Sequence, residues 1–398
     1  MLRRYAVFAA RVMGAWSLVA NAYLLTLLAA AARSSRVADD GPVAAPELLV
    51  VALVPAHNEE AAVATTVRSL MQQDHPAQKR EVVVIADNCS DMTADRAREA
   101  GATVWERRDT DNRGKGQALA WAIERVWATW PDVDAVAVVD ADCVVTRGLL
   151  GGFASKMAAG ASAVQADNLV ENPQFADAAA RRWAGFALMH RVRAGGKQAL
   201  GFSCGLFGTG MAFQSDLLRA LPWQSFSVTE DSEYHVRIVE SGGRVVFLAG
   251  ESVSSPMPTS EAAAHHQQMR WESGKASLAR RTVPRLVASG LRTRDVQLLH
   301  TGLEQLVPPQ SLIVVLTTAA SFIGLVARDR TAIALGACAC AAQSGYVVGG
   351  LRFARAPAPV WRSLLAAPKL VARKVIQAAT IGTGQGSAEW VRTARNQA

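Results

Sequence analysis

The sequence predicts an α/β domain built on a parallel sheet, with a transmembrane anchor before it and a transmembrane hairpin after it. Three observations carry this. Strand-length apolar runs alternate with helical stretches from residue 48 to residue 139, as in a sheet wound with right-handed crossovers. Three uncharged runs, Val12–Ala32, Leu306–Ala327 and Thr331–Leu351, are each about 20 residues long, enough to cross a bilayer. The run Ala135-Val-Ala-Val-Val-Asp140-Ala-Asp142-Cys143 is short, apolar and ends in two carboxylates spaced i, i+2. Such a run reads as a strand buried on both faces, and its carboxyl end is where open α/β sheets bind ligands.

The chain has 398 residues and a net charge of +8, the size of one large domain with extras or of two domains. Half of it is hydrophobic, ample for a core. The five cysteines, Cys89, Cys143, Cys204, Cys338 and Cys340, form no C-x-x-C and no ligand-like spacing with histidine. That argues against a zinc site and a disulfide framework and fits a reducing compartment. The basic excess lies beside the apolar runs. Arg280, Arg281, Arg285, Arg292 and Arg294 precede the hairpin; Arg352, Arg355, Arg362, Lys369, Arg373 and Lys374 follow it. Aromatic interleaving suited to nucleic acid is sparse, so attraction to anionic lipid on the cytoplasmic face explains the placement. The middle region and the tail are then cytoplasmic and the chain is a multi-pass protein of the inner (plasma) membrane, although Arg3, Arg4 and Arg11 pull the other way. The first run is longer than a typical signal-peptide core and reads as an anchor. Arg328-Asp-Arg330 joins the other two into a tight hairpin.

The elements follow in order. Residues 33–46 are a polar linker with Gly41, Pro42 and Pro46. Leu48–Pro55, Glu81–Ala86, Ala102–Glu106 and Ala135–Val139 read as strands; Ala61–Gln72, Thr93–Ala100 and Gln117–Trp130 read as the helices between them. Beyond Asp142 the pattern loosens. Ser162–Leu169 alternates like a strand, Phe175–Val192 looks helical, and a Gly-rich stretch, Gly205 to Phe213, approaches a short strand. That stretch lacks the last glycine of G-x-G-x-x-G, so a dinucleotide fingerprint is not indicated. A helix opens at Thr229, another covers Ser260–Leu278, and an interfacial helix covers Pro359–Gln377. The organisation expected is an anchor and linker at 1–40, the α/β domain at 41–280, an interfacial connector at 281–305, the hairpin at 306–352 and a tail at 353–398.

Chemistry-bearing residues stand at the strand ends. After the first strand comes Pro55-Ala-His57-Asn58-Glu59-Glu60, where Asn58 suits a helix cap and the glutamates suit its dipole. After the second comes Asp87-Asn-Cys-Ser90-Asp91; Ser90 or Asp91 can cap the next helix, which leaves Asp87 to accept a hydrogen bond from a base or ribose. Arg113-Gly-Lys115-Gly116 lacks Walker A spacing; it is a polar turn or a backbone–lysine cradle for phosphate. Asp140 and Asp142 offer two hard oxygens for a divalent cation that would hold a diphosphate. Ser227 and Glu230 fit a capping box, which leaves Asp231 free to take a proton from a bound hydroxyl. Gln267, Arg270 and Trp271 share a helix face, either as an interfacial helix or as a sugar-stacking indole beside a phosphate-pairing guanidinium.

Taken in order, His57-Asn-Glu59, Asp87, Arg113-Gly-Lys115-Gly, Asp140-Ala-Asp142, Thr229-Glu-Asp231 and Gln267-x-x-Arg270-Trp271 resemble the membrane-bound branch of glycosyltransferase family 2, which includes cellulose, hyaluronan and poly-N-acetylglucosamine synthases. The resemblance covers residues 48–280, and the closing Trp390-Val-Arg-Thr-Ala-Arg395 looks like the tail of such enzymes. It implies a GT-A, Rossmann-like nucleotide-sugar-binding domain and an inverting transfer from a nucleotide-diphosphate sugar, UDP-sugar favoured, to a polysaccharide at the cytoplasmic membrane face. By that resemblance Asp231 is the catalytic base. Pro55, His57, Glu59, Asp87, Lys115, Asp140 and Arg270 hold the donor. Trp271, Gln267, Gly208, Thr209, Gly210 and Glu230 hold the acceptor, and Asp142 with Asp140 binds Mg²⁺ or Mn²⁺. The family's usual cysteine-containing motif is missing around Gly208-Thr-Gly210. Three spans are also few for a polymer channel. A single transfer to a lipid or polyprenyl acceptor is therefore the second expectation, and an oligomer or export partner would be needed for a polymer. A catalytically idle, membrane-tethered nucleotide-binding scaffold is the non-enzyme alternative; the retained Asp140, Asp142 and Asp231 speak against it.

Overall fold

The computed structural model describes residues 1–35, 47–257 and 261–365, with the backbone alone for 2 and 261–270. Among these, eight strands form one sheet. They are β1 (Val50–Ala56), β2 (Arg80–Asp87), β3 (Thr103–Arg107), β4 (Ala135–Val138), β5 (Val144–Val145), β6 (Ala163–Val170), β7 (Met211–Gln214) and β8 (Val245–Ser255). The helices in chain order are α1 (Leu2–Ser34), α2 (Val63–Met71), α3 (Thr93–Glu99), α4 (Lys115–Thr129), α5 (Leu149–Ala158), α6 (Asp177–Phe186), α7 (Ala194–Ala199) and α8 (Ser215–Ala220). They continue with α9 (Glu230–Glu240), α10 (Glu261–Thr293), α11 (Val296–Glu304), α12 (Gln310–Ala327), α13 (Arg330–Phe353) and α14 (Ala358–Leu364).

The strand order is β3-β2-β1-β4-β7-β6-β8-β5. From β3 to β4 every pairing is parallel, as the alternation predicts. β1 shows why its sequence is apolar throughout. Val50, Ala52 and Val54 pack with Val63, Val67 and Phe153 on one side; Val51 and Leu53 pack with Leu119, Ile123 and Tyr234 on the other. Successive side chains point to opposite faces, and helices cover both.

Beyond β4, where the alternation loosens, the sheet is no longer parallel. β7 runs antiparallel to both β4 and β6, and β5 runs antiparallel to β8, so the sheet is mixed. The reason is local: the Gly-rich loop brings the chain to the ligand edge, where Met211 pairs with Val138, so β7 can only run away from that edge. β6 and β8 pair in parallel with a bulge at Ala166/Asp167.

Two helical expectations also change. The predicted helix Phe175–Val192 is α6 followed by a π-helical stretch, Ala187–Arg193, and then α7. Within that stretch the Leu188 carbonyl accepts a hydrogen bond from Tyr346 Oη of α13 at 3.0 Å. The connector expected at 281–305 is the end of α10, with Pro284 inside it, followed by α11, capped by Asp295 on the Gln297 and Leu298 amides. α14 falls in the expected interfacial helix; that helix beyond residue 365 and the segment from Trp390 to Arg395 lie outside the described residues.

α1, α12 and α13 are long and apolar enough to cross a membrane. They pack on one another through small residues: a Cβ on Gly324 would meet the Ile333 amide at 3.0 Å, and one on Gly336 would meet Ser321 Oγ at 2.4 Å. Small residues allow such close helix approach where no hydrophobic drive separates protein from lipid. Arg3 donates to the Ala327 carbonyl at 2.7 Å and Arg11 pairs with Asp329 at 2.7 Å, which brings the start of α1 beside the hairpin tip. The other end of α1 enters the α/β domain, where Leu24, Leu27 and Ala31 are buried and Tyr23 Oη meets His300 Nε2 at 3.0 Å.

Candidate active site

The ends of β1, β2 and β4, the loop before β7 and the first turn of α9 open onto one cleft of about 3860 Å³. Pro55, His57, Glu59, Asp87, Lys115, Asp140, Asp142, Gly208, Thr209, Glu230, Asp231 and Trp271 all line it, so the structure gathers most of the residues singled out by sequence. Gln267 and Arg270 are on α10, and their side chains lie outside the described residues.

At the β1–β2 edge the loops hold one another. His57 Nδ1 meets the Asp87 carbonyl at 2.7 Å. Asn58 does not cap α2, which begins only at Val63; it sits at φ 55° and its Oδ1 accepts from the Ser90 amide at 2.8 Å. Asn tolerates this left-handed conformation better than most residues. The Glu59 amide donates to Thr93 Oγ1 at 2.7 Å. Neither Ser90 nor Asp91 is the N-cap of α3, which is Met92; Asp91 lies one residue before it and accepts from the Thr93 amide at 3.0 Å. Asp87 is not the spare carboxylate expected. Its Oδ1 takes Arg107 Nη1 at 2.7 Å and Asn88 Nδ2 at 3.0 Å. Arg107, 6% exposed, also reaches Asp109 at 2.8 Å. Nothing in the sequence marks Arg107, because the link crosses twenty residues and two strands.

The centre of the cleft is an acidic ring around one ammonium. Lys115 bonds Asp140 Oδ1, donates to the Gly208 carbonyl at 2.6 Å and lies 3.7 Å from Glu230 Oε1. Burial works against its charge, but Asp140, Glu230 and Asp231 outweigh burial and raise its pKa. The glycines around Lys115 have different roles. Gly114 takes φ 112° at the start of α4, whereas a Cβ on Gly116 would fall 2.2 Å from the Ser225 carbonyl, so Gly116 is fixed by packing rather than by access to phosphate. The Asp140 amide donates to Thr209 Oγ1 at 3.0 Å, which ties the end of β4 to the loop. Gly208 and Gly210 have φ of 83° and 64°, the region that favours glycine.

The expected capping box at Ser227 and Glu230 does not form; Thr229 is the N-cap and makes no side-chain cap bond. Glu230 turns inward instead, and burial pushes its carboxyl up to about 7 against the pull of Lys115. Asp231 also sits above the usual carboxylate range through burial, with Lys275 opposing. Its Oδ1 accepts from the Ser232 amide at 2.6 Å. A Cβ on Gly208 would lie 3.7 Å from Asp231 Oδ2 and 3.8 Å from Lys115 Nζ, so the loop, the base candidate and the lysine meet at one point.

Several residues in this arrangement carry no sequence signal. Gln165, fully buried in β6, donates to the Thr209 and Gly210 carbonyls at 2.8 and 3.1 Å and accepts from the Phe207 amide at 2.8 Å. It fixes the loop that carries Gly208-Thr-Gly210. Trp271 has Arg182 5.6 Å from its ring and Phe186 at 6.2 Å between centroids, forming a wall of the cleft. His190 is stacked on Phe207 at 4.2 Å, and burial pushes its pKa down to about 3, so it stands as a neutral packing group.

Asp140 and Asp142 fit a divalent cation as two hard oxygen donors at the carboxyl end of β4. No group of three or more His, Cys, Asp or Glu side chains placed to hold a metal occurs among the described residues. The donor's diphosphate would have to supply the remaining oxygens.

The mixed sheet with carboxylates at the end of β4 is an α/β fold of the GT-A type. The model of the family described as Glycosyltransferase like family 2 matches residues 46–274, more than half of the chain, and the chain belongs to that family. Among solved structures it is similar to the mannosyltransferase PcManGT from Pyrobaculum calidifontis, solved with GDP-Man and Mn²⁺: 19% identity, a TM-score of 0.51, covering 85% of this chain and 97% of that one. A likeness at this identity is one of fold. Glucosyl-3-phosphoglycerate synthase from Mycobacterium tuberculosis with Mg²⁺ and UDP shares 18% identity over 52% of this chain and 70% of that one, with a TM-score of 0.37. S. aureus TarS 1-349 shares 14% over 78% and 92%, with a TM-score of 0.43. No curated protein matches.

Proposed function

We propose that this glycosyltransferase performs an inverting transfer from a nucleotide-diphosphate sugar to an acceptor delivered at the cytoplasmic membrane face, with Asp231 as the base. The observation that carries this is the single cleft in which Asp231, Lys115, Asp140 and Asp142 meet. The acceptor hydroxyl attacks the anomeric carbon opposite the diphosphate; the C–O bond to the diphosphate breaks, and the hydroxyl proton passes to Asp231. A carboxylate pushed above its usual range is a stronger base, and base assistance is typically worth about 10²- to 10⁴-fold. Lys115 lies on the donor side, ready to exchange Asp140 for the diphosphate. Pro55, His57, Glu59 and Asp87 shape the nucleotide end and Trp271 meets the acceptor; the family resemblance assigns Arg270 to the diphosphate and Gln267 to the acceptor. Mg²⁺ or Mn²⁺ held by Asp142 and Asp140 would supply charge neutralisation for the leaving diphosphate.

For the acceptor, the family resemblance favours a polysaccharide, and a polymer would require an oligomer or an export partner beside three spans. One observation favours a lipid-linked acceptor instead: the same cleft continues onto Trp16 of α1 and Leu312 and Val315 of α12, in helices of membrane-spanning length. The test is a screen of the purified chain against UDP- and GDP-sugars with Mn²⁺, reading nucleotide release and product size. Asp231→Asn should keep donor binding and lose transfer by about 10²-fold or more; wild-type turnover in that variant would remove Asp231 from the role.

A further inference from the structure

The acceptor side of the cleft carries charges that the transfer chemistry leaves unused. Arg193, at the end of the π-helical stretch, and Lys197, on α7, converge on Glu304 at the end of α11, at 3.1 and 3.0 Å. Two cations face one carboxylate in a nearly closed space: the three side chains are 17%, 6% and 15% exposed. Glu304 stays ionised, because Lys197 and Arg193 outweigh burial and hold its carboxyl down at about 2. One positive charge therefore remains uncompensated. Lys275, exposed on the cleft wall of α10, adds another; Arg193 and Lys197 repel it, while Asp231 and Glu304 attract it. Among the described residues it has no ion pair.

All four groups line the cleft, and so do the apolar side chains next along it. Leu312 and Val315 of α12 and Trp16 of α1 form that wall, with Leu312 44% and Trp16 49% exposed. One cleft thus holds the base candidate, a group of cations and exposed apolar side chains. A soluble sugar has no use for the last two. An anion with a hydrocarbon tail matches both, since a desolvated cation pair rewards phosphate and an apolar wall rewards the tail.

We propose that the acceptor is a phospholipid with a hydroxylated headgroup: its phosphate is held by Lys275, Arg193 and Lys197, its chains lie against Trp16, Leu312 and Val315, and its headgroup hydroxyl reaches Asp231. This rests on the lipid-linked reading above and names the anion that reading leaves open. Arg193, Lys197 and Lys275 act as binding residues, and neutral lipids are disfavoured because they leave the cations unpaired.

The experiment uses the full chain in phosphatidylcholine nanodiscs and measures binding of dihexanoyl phosphatidylglycerol, dihexanoyl glycerol and inorganic phosphate. Phosphatidylglycerol should bind at least about tenfold tighter than either control. Lys275→Gln should weaken that binding by about tenfold and leave nucleotide affinity unchanged. Leu312→Gln should weaken phosphatidylglycerol but not inorganic phosphate. Equal binding of the neutral lipid, equal binding of inorganic phosphate, or phosphatidylglycerol binding untouched by Lys275→Gln would each overturn the proposal. If lipid binds as described but no sugar nucleotide is turned over, the transfer reading fails and the anionic-lipid site stands without an acceptor role.

Discussion

The two halves of the cleft are built differently. On the proposed donor side the functional groups stand within a few residues of the ends of β1, β2 and β4, and their partners are backbone groups and neighbouring side chains. On the acceptor side the groups come from β6, the π-helical stretch, α7, α10 and α11, and they depend on buried contacts across long stretches of chain. The donor side is a set of strand-end loops on a rigid sheet; the acceptor side is an assembly of helices whose charges hold one another. The first should therefore tolerate the loss of one contact better than the second.

The largest effect expected from this contrast is on stability. Glu304→Gln leaves Arg193 and Lys197 buried without a counter-charge and should cost about 3–5 kcal/mol in equilibrium unfolding. An equally buried donor-side pair, Arg107 with Asp87, also bonds Asp109 and the Asn112 carbonyl, so Asp87→Asn should cost clearly less. Equal losses would break the comparison. Next comes Gln165→Ala, which orphans the Thr209 carbonyl and the Phe207 amide, while the Gly210 carbonyl keeps the Ala166 amide, at a cost of about 1–3 kcal/mol. If the loop positions the acceptor, kcat/KM should fall while nucleotide affinity holds.

The smallest effect is one of sign. Glu230 is raised to about 7, so the stability tied to its protonated form is present at low pH and is lost as pH rises through about 7. Glu304 is lowered to about 2, so its contribution is present above the ordinary carboxylate range and is lost as pH falls toward about 2. Melting temperature against pH should lose its alkaline decline in Glu230→Gln and its acid decline in Glu304→Gln. The same slope in variant and wild type would refute the assignment.

Legibility follows the same division. β1, β2 and β4 announce themselves by uninterrupted apolar runs because both faces are covered, and their terminal carboxylates follow at once. β7 did not reveal its direction, because orientation depends on where the preceding loop delivers the chain. Glu230 read as a cap because S-x-x-E is local, whereas the lysine that draws it inward lies far back in the sequence. Gln165 and Glu304 look like ordinary polar residues until their partners, 44 and 107 positions away, are known. Pattern reading finds what neighbours enforce; it does not find what distant segments bring together.

The approach of α7 to α1 has a practical consequence. A Cβ on Gly196 would fall 2.3 Å from the Leu27 carbonyl, so the first helix is seated against the backbone of the enzyme domain rather than tethered to it by a string. Deleting α1 would therefore peel away a piece of the domain's interior. Preparations that retain residues 1–35 suit this molecule better than deletion.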